Sequence, residues 1–115
     1  PIQQYEQVGI TWYSGDKSVF KLVKELIDGD VYIIPGKCPV ADEPIRLRLT
    51  VHSAGWKADY RAASADAFST AAEGELPAPQ DDYVSLQCYN GPEDAEHWMR
   101  FEHFVIARID GAIPT

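Results

Sequence analysis

Only two cysteines, one methionine and three histidines occur among the 115 residues, and the basic residues run out half-way along the chain. Beyond Arg61 the sole cations are Arg100 and Arg108, set against ten Asp and Glu, whereas residues 1–61 balance eight residues of each sign. The whole net charge of −8 therefore belongs to the second half. Each shortage excludes something. A chain with so little basic surface cannot neutralise a phosphate backbone, which argues against nucleic-acid binding. The same field repels anionic membrane. No apolar run approaches the roughly 20 residues of a spanning helix, the longest charge-free one being Val31-Tyr32-Ile33-Ile34. Two cysteines make no disulfide framework, and neither Cys38 nor Cys88 has a second ligand at zinc spacing, so both read as free buried thiols of a reducing cytoplasm. No charged and apolar leader opens the chain, so export is not signalled. Glycine-rich phosphate loops and a Gly-x-Ser-x-Gly nucleophile turn are missing too, and no cofactor is implied.

What remains suits one folded domain over residues 1–115. The apolar fraction is 45%, with three Trp, six Tyr and four Phe, enough for a single core at this length. Val19, Phe20, Leu22, Val23, Leu26 and Ile27 recur at helical spacing, Ser14 or Asp16 can cap the start, and Gly29 stands where a C′ residue belongs. This spacing predicts a main helix over residues 16–28, with Lys17, Lys21 and Lys24 on its far side.

The other segments read as strands. Residues 5–13 and 30–34 flank the expected helix. Ile45 to His52 alternates four apolar with four polar residues, and Trp56 to Arg61 continues the alternation after a short link, which together describe a hairpin. Residues 83–89 alternate again, and residues 97–109 form an apolar run on both faces that reads as a central strand. Between them, residues 38–44 read as a loop and residues 62–82 as a mobile linker, with a short Ala-rich helix near Ser64 as its one structured option. Strands joined by short turns pair antiparallel. The expected fold class is therefore α+β, one main amphipathic helix packed on a mostly antiparallel sheet of about six strands.

Several constellations bear on function. Acids cluster in loops and turns, with aromatic residues beside them: Asp81, Asp82, Glu93, Asp94 and Glu96, with Tyr89 and Trp98. Aromatic anchors rimmed by acids suit a protein partner with a basic surface. On the polar face of the first hairpin strand, Arg46, Arg48 and His52 form a row able to hold an oxyanion, or else a solvated face paired across the hairpin with Asp59. His97 and His103 are too far apart on one strand to chelate one metal, and no metal site is expected. Neither serine nor cysteine stands in a nucleophile signature, so no catalytic residue is assigned.

The first four residues, Pro-Ile-Gln-Gln, resemble the start of the tautomerase superfamily, in which an N-terminal proline on the first strand acts as general base. That resemblance implies a small enzyme using Pro1, whose amine has a reference pKa of about 7.7–8.0. The chain departs from the pattern in having no arginine between Glu6 and Asp16. The leading expectation is a small acidic, cytoplasmic protein-binding module, of inhibitor or immunity type, that captures a cationic partner through its C-terminal half. A tautomerase-like enzyme and an oligomeric accessory or ligand-binding domain are the alternatives.

Overall fold

The computed structural model describes residues 3–52, 55–75, 82–91, 93 and 99–106. Among them there is no helix. Eight strands form instead: β1 Gln7–Ser14, β2 Lys17–Ile27, β3 Asp30–Ile34, β4 Cys38–Val40, β5 Ile45–His52, β6 Gly55–Ala62, β7 Ser69–Glu75 and β8 Asp82–Tyr89. They build a five-stranded sheet in the order β4-β3-β2-β1-β8 and a three-stranded sheet in the order β5-β6-β7. All pairings are antiparallel. Two successive meanders thus stack as layers, and β8 returns to close on β1. The α+β expectation is corrected to all-β.

The correction turns on β2, the segment whose spacing predicts a helix. Its apolar residues satisfy a strand with both faces covered equally well. Phe20, Leu22 and Leu26 face the second sheet, while Val23 lies on the opposite face, and Leu22 and Val23 are both 0% exposed. The three lysines of the expected helix face are divided. Lys21 falls on the outer side of the sheet, and Lys24, on the inner side, reaches out so that its Nζ donates to Asp42 Oδ1 and to the Glu43 carbonyl. A local signal favours the strand: Asp28 and Gly29 both have positive φ, 51° and 86°, as a two-residue type I′ hairpin turn requires. Gly29 closes a hairpin, not a helix.

Close approach between strands explains a second glycine. A Cβ on Gly9 would stand 2.2 Å from the Leu22 carbonyl oxygen, so only glycine lets β1 lie against β2 there.

The core sits between the sheets. Leu22 and Ile33 from the large sheet meet Ala58 from the small one, with Ile10, Val40, Leu47, Leu49, Trp56 and Tyr60 packed around them. Phe20 bridges the layers, its ring centroid 4.5 Å from that of Trp56 and 6.5 Å from that of Trp12. Filling of this kind follows from alternation: β5 turns Ile45, Leu47, Leu49 and Val51 inward and Arg46, Arg48, Thr50 and His52 outward.

Other boundaries move as well. Residues 38–40, inside the expected loop, pair with β3. The stretch expected to be a linker contains β7, which pairs with β6 from Ser69 onward, and the helix expected near Ser64 is turn and bend. Residues 99–106, expected to lie in a central strand, carry no strand and are exposed from Arg100 to Ile106. Both cysteines are free thiols, Cys38 half-buried and Cys88 exposed where burial was expected.

Candidate functional site: an arginine face beside an open recess

The register of the β5–β6 hairpin decides what stands on its outer face. Arg46 lies directly opposite Arg61, Arg48 opposite Asp59 and Thr50 opposite Lys57. Asp59 is 1% exposed, and a carboxylate so buried is tolerable only with good partners. It has three: Arg48 Nε and Nη2 donate to Oδ2 at 3.2 and 3.1 Å, and Thr70 of β7 donates to Oδ1 at 2.9 Å. This triad ties all three strands of the small sheet together.

Phe68, in the connection leading to β7, folds back over the arginines. The Arg48 guanidinium lies 4.0 Å from its ring centroid and that of Arg61 lies 5.7 Å from it. Stacking on an aromatic face fixes a guanidinium plane while leaving its N–H edge free to bind. Arg61 Nε is buried with no hydrogen-bond partner. The ion pairs among the described residues join Arg48 to Asp59, Lys24 to Asp42, and Glu102 to Arg100 and His103. Arg46 and Arg61 are in none of them. Arg46, Arg61 and Lys57 therefore stand on this face beside a single carboxylate, Asp59, that Arg48 already holds.

Beside these groups opens a recess of about 1600 Å³, lined by both faces of β5, by Ile10, Trp12, Val84 and Leu86 of the large sheet, and by residues 99–106. It reaches both faces because β5 is an edge, paired only with β6 among the described residues.

Compared with known proteins, the chain matches no family model, no curated protein and no solved structure.

The expected site residues are distributed as follows. His52 ends β5 opposite Gly55, four residues beyond Arg48 and so about 13 Å from it along the strand. It does not join the arginines. Asp82 opens β8 opposite Ser14, and Tyr89 ends the strand opposite Gln7, about 24 Å away at the rise of an extended chain. Glu93 follows beyond the Tyr89 end. The described acids of the set, Asp82 and Glu93, thus lie toward opposite ends of β8. Asp81, Asp94, Glu96 and Trp98 lie outside the described residues, as do Pro1 and His97. Among the described residues, no group of three or more His, Cys, Asp or Glu is placed to hold a metal.

Tyr89 is engaged in the outer face of the large sheet. Its hydroxyl donates a short hydrogen bond to Gln87 Oε1 and accepts from Thr11 Oγ1 at 2.7 Å, while Gln87 Nε2 donates to the Tyr13 hydroxyl at 2.9 Å. Lys21 Nζ lies 4.2 Å from the Tyr89 ring centroid. Burial pushes the Tyr89 hydroxyl pKa above its usual 10.0; the Thr11 hydrogen bond opposes the rise and Tyr13 adds to it. Tyr60, in the core, is raised first by burial and then by Cys38.

Sequence reasoning missed Arg61 and Phe68 as members of the arginine site. Arg61 was missed because the expected hairpin link ran through Gly55, whereas Gly55 opens β6 opposite His52 and so brings Arg61 opposite Arg46. Phe68 was missed because its position depends on a connection with no periodicity.

Proposed function

We propose that this domain is a non-enzymatic protein-binding module that engages a basic partner through its acidic C-terminal half. One observation carries the reading. Phe101, Phe104, Val105 and Ile106 are 40%, 51%, 77% and 74% exposed in a stretch without ladder bonds. Clustered apolar side chains left in water mark interaction surfaces. Interfaces place apolar anchors at the centre and charges at the rim, where the charges govern encounter rate more than affinity. Glu93 and Glu102 lie in the same half of the chain, whose net charge is −8, and that field steers a cationic partner. The partner that fits is a protein with an apolar groove or free strand edge bordered by Lys and Arg. Two free thiols suit a reducing compartment, and we place the protein in the cytoplasm. Among the described residues no helix is long and apolar enough to cross a membrane.

Capture at physiological ionic strength tests the proposal, comparing the natural protein with a Phe101→Ser/Phe104→Ser variant whose fold is checked by circular dichroism. One stoichiometric basic partner, lost in the variant and associating more slowly as salt rises, supports it. A partner retained by the variant, or none at all, refutes it. Mass that rises with the concentration of the pure protein would redirect the same surface to a second copy.

A further inference from the structure

We propose that the arginines at 46, 48 and 61 and the recess beside them bind a small amphipathic carboxylate, an anionic head on an aliphatic tail. This site differs from the protein-binding surface in its arginine head-group end and shares Phe101 with it at the apolar end.

Charge selects the head group. Like charges directly opposite on a sheet are destabilising, and Arg46 faces Arg61 with neither in an ion pair among the described residues. Asp59 already accepts from Arg48 and Thr70 and sets the Arg48 fork, and the carboxylates that line the recess, Asp42, Glu43 and Glu102, are engaged by Lys24, Ser64 and Arg100. Phe68 stacks against Arg48 and Arg61 and orients both. Arg61 Nε is a buried donor with no acceptor, a costly arrangement that an incoming oxyanion relieves. Planar guanidinium forks match the two oxygens of a carboxylate.

The shape of the recess selects the tail. Because the cavity wraps the free edge of β5, the outward row of arginines and the inward row Leu47 and Leu49 line one continuous space, with Met99 and Phe101 across from them. A bare inorganic anion would use only the charged side. A carboxylate carrying an aliphatic chain uses both.

The test is titration of the full chain with decanoate below its micelle-forming concentration, read by tryptophan fluorescence (Trp12 lines the recess) and by calorimetry. Decanol and inorganic phosphate are run in parallel. Saturable one-to-one binding of decanoate is expected, at least about tenfold tighter than either comparison ligand, with Arg46→Gln weakening it about tenfold or more. Since Arg46 is exposed and opposes a like charge, Arg46→Gln should leave the melting temperature unchanged or higher. Decanol binding as tightly as decanoate would overturn the head-group assignment, and phosphate binding as tightly would overturn the tail. Unchanged decanoate affinity in Arg46→Gln, or a lowered melting temperature in that variant, would overturn the site.

Discussion

Removing either partner of the Arg48–Asp59 pair should destabilise the protein, but by different amounts, and the difference tests how this face is built. Asp59 is buried and its side chain is 2% exposed, while that of Arg48 is 32% exposed. Arg48→Met leaves a carboxylate that cannot reach water, holding only the Thr70 hydroxyl. Stranding a buried charge costs about 3–5 kcal/mol. Asp59→Asn leaves a guanidinium that can turn to solvent and keeps an oxygen for Thr70, so the loss approaches that of charge-assisted hydrogen bonds alone, about 1.5–3 kcal/mol. Added repulsion among Arg46, Arg48 and Arg61 brings it toward the upper end of that range. At about 4 °C per kcal/mol for a domain of this size, the melting temperatures should fall by roughly 12–20 °C for Arg48→Met and 6–12 °C for Asp59→Asn. Urea denaturation followed by tryptophan fluorescence measures both on one scale, with a near-constant m-value confirming that the same transition is compared. Equal losses, or a larger loss for Asp59→Asn, would refute the claim that burial of Asp59 governs the pair. A change below about 0.5 kcal/mol in both would reduce the triad to an ordinary surface ion pair.

Other perturbations have equally definite outcomes. Gly9→Ala should cost about 3 kcal/mol in denaturant titrations, because its Cβ would meet backbone atoms of β2 at 2.2 and 2.8 Å and one strand must move. Gly29→Ala, with open space around it but a φ of +86°, should cost only about 1 kcal/mol of backbone strain. The hydroxyls of Tyr60 and Tyr89 are held above 10.0, so the unfolded chain ionises first. Their contribution to stability is then complete below pH 10 and declines as pH rises past it toward the folded values, which ultraviolet titration of phenolate alongside unfolding curves from pH 9 to 12 will register. Trypsin should cut early at Arg100, whose side chain is 85% exposed in a segment without ladder bonds. A bound partner that covers Phe101 and Phe104 should slow that cleavage, as mass spectrometry of the fragments would report.

Where alternation is strict and turn residues are explicit, this fold is readable from the chain alone. Residues 45–52 and 30–34 match β5 and β3 to the residue, and 83–89 misses β8 by one. The hairpin itself was legible, but its register was not, because the expected link took in Gly55, which pairs with His52. Reading fails where apolar residues fill both faces of a strand. In β2 the pairs Phe20/Leu22 and Val23/Ile27 divide between two faces, yet the same residues also trace a helical stripe, and Lys24 breaks the two-residue alternation because it escapes the core through its own length. The Asp28-Gly29 turn was the discriminating cue, and it weighs more than the periodicity because only a hairpin needs two consecutive positive φ values. Segment β7 is hidden for a different reason. Ser69-Thr70-Ala71-Ala72 has little intrinsic strand preference, and its conformation is imposed by pairing with β6. The arginine face was half legible: its charges were visible, whereas the Phe68 ring over them depends on tertiary folding.

The exposed edges of the two sheets carry a consequence for handling the protein in concentrated solution. A strand with unpaired amides is a template on which another chain can grow, and natural sheets guard such margins with proline, charge or brevity. Strand β4 is three residues long and contains Pro39, and β7 ends in Glu73 and Glu75. Strand β5 is eight residues long, rich in Ile, Leu and Val, and its guards are Arg46 and Arg48. Replacing both with valine would leave an apolar segment with high strand propensity and no interior charge, the composition of a fibril-forming stretch. Thioflavin fluorescence and turbidity of that variant, set against the natural sequence at equal concentration, should show shorter lag times and visible clouding. In that outcome the arginines that make this face a candidate for ligand binding would also be what keeps the protein dispersed.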